Sequence, residues 1–252
     1  MKIATWNVNS LKVRLPHVLE WLAANQPDVL CLQELKCEDK AFPVEALVEA
    51  GYESAFFGQK TYNGVAILSR RPMTDVTFGI RGFDDEQRRV IAATVGDTRV
   101  VCAYFPNGQA PGTDKFAYKL SWLAALTGYL KEELESHPAL VLAGDYNIAP
   151  DERDAHPDWK DEIHVSPPER EAFRALIGLG LTDAFRLFEQ PERCYSWWDY
   201  RMFAFRRNFG LRIDHLLVSQ PLVPAVKSCH VDKTPRALER PSDHAPVVVE
   251  LT

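Results

Sequence analysis

The most confining feature of this 252-residue chain is where its apolar segments stop. Five short β-type runs end on, or abut, a carboxylate, an amide or a histidine. They are TWN at Asn7, CLQE at Glu34, LAGDYN at Asp145 and Asn147, RIDH at Asp214 and His215, and PSDH, which sets Asp243 and His244 just ahead of PVVVEL. One polar residue at a strand end is ordinarily a turn former or a helix cap. Five of them, if neighbouring strands bring their ends together, place about four acids, two amides and at least one imidazole at one rim of a hydrophobic sheet.

The remaining pattern is α/β with antiparallel pairing. IATWNV reads as a strand, and Leu11, Leu15, Val18, Leu19 and Leu22 then recur at helical spacing with Ser10 placed to cap. DVLCLQE is apolar enough for a strand buried on both faces. PVEALVEA makes a short helix stopping at Gly51, before strands at YESAFF and GVAILS; RRVIAATV and TRVVCAYF meet at Gly96-Asp97 as a hairpin. The spacing of Phe116, Leu120, Leu123, Leu126, Leu130 and Leu134 predicts a helix over 115–135, and another falls near 169–178. ALVLAGD, RIDHLLV, AVKSCHV and PVVVEL complete the strands. No repeat, low-complexity stretch or linker divides the chain, so a single domain over residues 1–252 is expected.

Composition narrows the class. With 46% hydrophobic and 25% charged residues the chain is an ordinary soluble globular protein, and no apolar window suits a signal peptide or a membrane span, so a cytoplasmic protein is expected. Five scattered cysteines without C-x-x-C spacing argue against a disulfide framework and a zinc site. A net charge of −6 opposes a nucleic-acid partner only if the two signs are mixed, and here they are segregated. RMFAFRRNFGLR, residues 201–212, carries four arginines and three phenylalanines with no acid, whereas residues 130–162 are strongly acidic. The basic run reads either as solvated surface or, given its aromatic interleaving, as a face for a phosphate backbone.

Four carboxylates at one rim repel one another unless a cation compensates, and an oxygen-rich, thiolate-free cluster suits Mg2+ or Mn2+. An imidazole held in one tautomer by a buried acid, as Asp214 could hold His244, can donate a hydrogen bond or a proton to a phosphoryl oxygen. With a Lewis-acid metal and a carboxylate to activate water, these parts suffice for phosphodiester hydrolysis. Acyl chemistry fits less well: no G-x-S-x-G elbow occurs, and the serine beside His244 is Ser242, in a turn between prolines. Pro241 and Pro246 restrict the backbone around Asp243 and His244, so little entropy remains to be lost in aiming them.

Taken together, TWNVNSL (5–11), LQELK (32–36), NGVAILS (63–69), RRVIAA (88–93), AYFPNG (103–108), GDYNIAP (144–150), RIDHLLVS (212–219) and PSDHAPV (241–247) resemble the exonuclease III family of Mg2+-dependent DNA-repair nucleases, within the endonuclease/exonuclease/phosphatase superfamily. GDYNIAP followed by PSDHAPV is the most specific part. The resemblance implies a four-layered α/β sandwich, two mixed β-sheets packed face to face with helices on the outside, and a site at one end of the sheets. It implies that Asn7 and Glu34 orient and ligate the metal with Asp243 nearby in the same network, the three holding one ion and Asp145 and Asn147 being candidates for a second. Tyr104 would lie against the scissile phosphate, Asp145 would activate water or serve the leaving oxygen, Asn147 would hold a phosphate oxygen, and Asp214 would fix His244. Trp197 would pack in the nucleotide pocket, Arg206 and Arg207 would approach DNA, and Asn208 would lie close to that pocket.

The partner implied is double-stranded DNA with abasic sites or 3′ ends, acted on by a monomer as a 3′-to-5′ exonuclease, a 3′-end cleaner or an endonuclease cutting 5′ to abasic sites. Deoxyribonuclease I, sphingomyelinases and inositol-polyphosphate phosphatases share the polar set, but the arginine-aromatic run favours DNA. A DNA-binding module without activity would not need every polar position intact. In the loop after Asn147, His164 is either a surface residue or a bulky ring projecting into the nucleotide pocket, which would favour 3′-terminal processing over internal incision. SPPERE beyond it would start a helix whose N-terminus favours a phosphate.

Overall fold

The computed structural model describes residues 1–252. The chain runs β1 (Lys2–Asn7), α1 (Leu11–Asn25), β2 (Val29–Gln33), α2 (Val44–Glu49), β3 (Glu53–Phe57), β4 (Val65–Ser69), β5 (Met73–Phe78), β6 (Val90–Val95), β7 (Thr98–Tyr104), α3 (Asp114–Ser136), β8 (Leu140–Asp145), α4 (Pro167–Gly178), β9 (Leu181–Asp183), β10 (Asp214–Ser219), β11 (Val226–Val231) and β12 (Val247–Leu251). Six short 3-10 segments join these elements. One six-stranded sheet has the order β11-β12-β1-β2-β4-β3 and the other β5-β6-β7-β8-β10-β9. Each is mixed, with one parallel pair at its centre, β1 with β2 and β7 with β8.

Because successive side chains of a strand point to opposite faces, each strand divides its residues between two cores. Ile3, Val29, Cys31, Val65 and Ile67 of the first sheet meet Ile91, Val100, Cys102, Val141, Ala143, Leu216 and Val218 of the second in the layer between the sheets. The alternate residues Ala4, Trp6, Leu30 and Leu32 pack outward under Leu11, Val18, Trp21 and Leu22 of α1 and Leu47 of α2. On the far side Val101, Ala103, Leu140 and Leu142 pack under Trp122, Leu126 and Leu130 of α3 and Phe173 and Leu176 of α4. The result is the expected four-layered sandwich. No helix is long and apolar enough to cross a membrane.

The hairpin at Gly96-Asp97 forms as read, with Val95 opposite Thr98 and Gly96 at a φ of 58°. Three local expectations change. Ser10 occupies the cap position of α1 but has a φ of 84° and makes no capping bond with its side chain. The edge strand β5 was not evident in the sequence: MTDVTF lacks an apolar face because it is mostly exposed, and its pairing with β6 is interrupted between Thr74 and Thr77. The three-residue β9 was likewise too short to stand out.

Gly144, one residue before Asp145, lies opposite Ala103 in the parallel pair, and a Cβ there would sit 1.9 Å from the Ala103 carbonyl oxygen. Gly144→Ala must therefore force β7 and β8 apart and is expected to cost at least about 2 kcal/mol. Gly128, exposed on α3, has nothing within 4 Å of a built Cβ, so Gly128→Ala should instead stabilise by about 0.5–1 kcal/mol. Urea denaturation midpoints moving in opposite directions would bear out the pair; equal shifts would not.

Candidate active site

The layer between the sheets turns polar at one end. Along its inner face β1 reads Ile3, Thr5, Asn7; β8 reads Val141, Ala143, Asp145; β7 reads Val100, Cys102, Tyr104; and β10, running the other way, begins on Asp214. Asp145 stands opposite both Tyr104 and Asp214 in the second sheet. The polar strand ends thus meet on a single rim.

Asn7 bridges the two sheets there, its Nδ2 donating to Glu34 Oε1 and to Asp145 Oδ2, each at 2.9 Å. The Tyr104 hydroxyl donates to the same Glu34 oxygen at 2.9 Å, while burial, then Glu34 and Asp145, push its pKa well above the usual phenol range. Asn147, with a φ of 51°, donates from its backbone N–H to Asp145 Oδ1 at 2.9 Å and from Nδ2 to the Phe105 carbonyl at 3.0 Å. Glu34, Asn9 and Lys36 also adopt positive φ, so left-handed backbone is concentrated around this rim.

His244 is 4% exposed, and its Nδ1 donates to Asp214 at 2.9 Å while Nε2 lies 3.7 Å from Asp145 Oδ2. The Ser196 hydroxyl donates to Asp214 Oδ2 at 2.7 Å and accepts the backbone N–H groups of Ile213 and Asp214, fixing the carboxylate. Burial alone would depress the His244 imidazole, but the charges of Asp214 and Asp145 and the bond from Asp214 prevail and raise it to about 10. Burial is likewise the main influence on Asp145, which rises to about 7, with His244 pulling it down and Asp214 and Glu34 pushing it up.

Prolines are not what chiefly holds the Asp243-His244 pair. The Ser242 hydroxyl donates to the Asn7 carbonyl at 2.6 Å, Trp6 Nε1 donates to the His244 carbonyl at 3.2 Å, and Trp198 N–H and Ala245 N–H tie this turn to the 196–198 segment. Asp243 itself is not beside Glu34. Its two oxygens accept from Asn9 Nδ2 at 3.0 Å and Trp197 Nε1 at 2.9 Å, and Asn9 Oδ1 accepts from Lys36 Nζ, which lies 2.9 Å from Glu34 Oε2. The relay Asp243–Asn9–Lys36–Glu34 joins Asp243 to the Glu34 network at one remove. Asn9 and Lys36 escaped sequence reading, although both stand two residues beyond a strand-end residue already singled out.

Side-chain oxygen or nitrogen atoms of Glu34, Asp145 and His244 all lie within 4.8 Å of one another. With Nδ1 committed to Asp214 and the ring held protonated, His244 is a donor rather than a ligand, and the oxygens of Glu34 and Asp145 suit a hard divalent cation. A cation between them would also offset the burial, and the repulsion from Asp214 and Glu34, that lift Asp145.

Several expected positions prove structural. His215 points to the opposite face from Asp214, its Nε2 donating to the Ile148 carbonyl at 2.8 Å and its Nδ1 accepting from Arg212 at 3.1 Å. Trp197 faces Asp243, whereas Trp198 is fully buried and donates to Asn208 Oδ1 at 3.0 Å, so Asn208 braces Trp198. The arginine run is divided: Arg212 is buried between Asp154 and Asp183 and Arg201 pairs with Asp199, leaving Arg206 and Arg207 exposed without an ion pair, beside Met202 and Phe203 at 76% and 72% exposure. His164 is only 6% exposed and bonds through Nδ1 to the Asn147 carbonyl at 2.8 Å, so it is no surface residue and its ring lies against Asn147. The N-terminus of α4 is not free for a phosphate either, because Glu169 fills it in a capping box with Ser166.

Among known proteins, residues 4–244 match the family model described as the Endonuclease/Exonuclease/phosphatase family. Exodeoxyribonuclease III of Haemophilus influenzae is 37% identical over 269 residues, covering 99% of each chain. The 3′ phosphatase NExo from Neisseria, solved bound to a product DNA hairpin, is 52% identical with a TM-score of 0.98, over 100% of this chain and 99% of that one. An AP endonuclease from Archaeoglobus fulgidus is 37% identical with a TM-score of 0.96, over 100% and 99%.

The charge state of His244 rests on Asp214. A pKa raised from 6.5 to about 10 means that its contribution to stability is fully present below 6.5 and is lost as pH rises through about 10. His164 and His215, buried without a carboxylate bonded to the ring, are pushed down to about 3 and about 4, burial being the first cause in each. Asp214→Asn should therefore bring the His244 imidazole below neutrality, followed by NMR titration; an imidazole still charged at pH 8 would show that Asp214 does not hold the proton.

Proposed function

Because the chain belongs to the endonuclease/exonuclease/phosphatase family, we propose that it is a metal-dependent DNA-repair nuclease, one catalytic domain acting as a monomer, that hydrolyses phosphate esters in double-stranded DNA and leaves a 3′ hydroxyl. The observation that carries this reading is the convergence of Glu34, Asp145 and His244 over a buried Asp214. Glu34 and Asp145 would hold Mg2+ or Mn2+, one ion or, with Asn147 offering a further oxygen, two; when bound, the metal supplies Lewis acidity toward a phosphoryl oxygen.

The chain's own groups have defined work. His244, its Nδ1–H turned to Asp214, offers Nε2–H to a phosphoryl oxygen as charge develops there. Asp145, its Oδ2 3.7 Å from His244 Nε2, is placed to orient the attacking water or accept its proton. Tyr104 stays protonated and braces Glu34, as Asn7 does, while Asn147 and Trp197 border the space for the phosphate and its nucleotide. Arg206 and Arg207 would neutralise backbone phosphates beside the site.

Termini are the substrate that best suits this chain, and the support is its likeness to the Neisseria 3′ phosphatase. Incision at internal abasic sites is a second reading, favoured by the likeness to the archaeal AP endonuclease. Assays of one preparation on duplexes bearing an internal abasic site, a blunt 3′ end and a 3′ phosphate should give terminal cleavage at least about tenfold faster than internal incision, a difference of roughly 1.4 kcal/mol in barrier. EDTA should abolish all three activities. Faster abasic incision would reverse the preference, and activity surviving EDTA would remove the metal.

For the arginine loop, Arg206→Ala with Arg207→Ala should weaken binding to all duplex sequences alike and reduce the salt slope by about one to two units, each phosphate contact releasing roughly one counterion. An unchanged slope would return these residues to ordinary surface.

A further inference from the structure

Beneath the polar rim lies a cation that the reaction does not touch. Lys119 of α3 is 0% exposed, and its ammonium donates to the Asn147 carbonyl at 2.7 Å, to the Asn107 carbonyl at 3.2 Å and to the Glu169 carboxylate. Glu169 is equally buried and is itself held by the backbone N–H groups of His164 and Ser166, each at 3.1 Å, and by the Ser166 hydroxyl at 2.6 Å. His164 adds a second donor to the Asn147 carbonyl. Gly108 has a φ of 86°, and a Cβ there would lie 2.8 Å from Lys119 Cδ, so only glycine lets the loop close over the lysine stem.

Burying an ammonium with its carboxylate is costly, and stability alone gives little reason to keep such a pair where apolar side chains would pack. Burial pulls the Lys119 pKa down, and Glu169 opposes it. What the pair does is join three separate segments: the loop after β7, the loop after β8, and the start of α4. The two carbonyls it draws inward belong to Asn107 and Asn147, whose side-chain amides meet at 3.5 Å above. Pulling a carbonyl one way fixes the peptide plane and with it the direction in which that residue's side chain leaves, which matters most at Asn147 because its backbone is in the sparsely populated left-handed region.

We propose that Lys119 is a positioning residue: through the carbonyls of Asn107 and Asn147 it sets the aim of their amides at the phosphate, a role that rests on the phosphate-ester reading above. Loss of the strut frees the two loops to rotate, and an amide off its line by a fraction of an ångström loses more of its stabilisation of the transition state than of the bound ground state.

The test is a double-mutant cycle of Lys119→Met with Asn147→Ala, read as kcat and KM on a 3′-phosphate duplex. Lys119→Met should lower kcat by about 10- to 100-fold with KM within about threefold, and should add less than about threefold in the Asn147→Ala background. An equal loss in both backgrounds, or none in the wild-type background, overturns the proposal. Should the unpaired Glu169 carboxylate prevent folding, Lys119→Met with Glu169→Gln removes both charges and enters the same cycle with the same criteria. Side-chain amide NMR of the apo protein gives a readout apart from activity: the Asn107 and Asn147 resonances should shift or broaden while those of Asn25 stay, and unchanged resonances count against Lys119. Wild-type protein inactive on the duplex would fail the functional reading, whereas the amide resonances judge the strut by themselves.

Discussion

Two facing sheets impose one rule on the whole molecule: every second residue of each central strand must enter the layer between them. While the partner face is apolar, that position takes Ile, Val, Cys or Ala, as at Ile3, Val100 and Val141. Where the sheets end, the same parity carries on but the partners are now polar side chains, and Asn7, Tyr104, Asp145 and Asp214 occupy it. The site is therefore the core's own periodicity continued into a buried polar rim. The packed core beneath it and the hydrogen bonds to the adjacent loops hold it in place together.

That placement explains the electrostatics. At the brink of a dry layer a carboxylate is poorly solvated, so Asp145 rises to about 7, yet a neighbouring buried acid can still hold an imidazolium, so His244 rises to about 10. The two groups are set with opposite demands on one another within 3.7 Å. Asn7 and Tyr104 contribute hydrogen bonds that cost no charge, and Lys36 contributes positive charge at Glu34. An aqueous cluster of the same residues would be screened and mobile; here each is fixed by a bond to a strand or to an adjacent loop.

The support beneath the site uses the same economy of parts. Two of the buried ion pairs, Lys119 with Glu169 and Arg212 with Asp154 and Asp183, tie irregular segments to the helices and strands around them. Loop backbone cannot satisfy its polar groups as a sheet does, and a buried cation with several donors can serve two or three carbonyls or carboxylates at once. The segment 130–162, acidic in composition, is thus partly interior: Asp154 is fully buried and Glu133 pairs with Arg99 inside.

From the sequence alone, alternation and helical spacing determined the strands, the helices and the set of polar strand ends, because a period of 2 or 3.6 is a local property that side chains must obey wherever the strand or helix lies. The order of GDYNIAP and PSDHAPV carried the family for the same reason, since a motif is itself a local record. Only the tertiary structure decided which of two adjacent polar residues faces the rim. Asp214 and His215 differ by one position and so point to opposite sides, and Trp197 and Trp198 divide in the same way between Asp243 and the interior. It alone placed Asp243 one relay away from Glu34, buried His164, and put Lys119 beneath Asn147, 28 residues on in the chain. Such contacts depend on how whole layers pack, and no local period encodes the distance between residues that meet only after the sheets have closed.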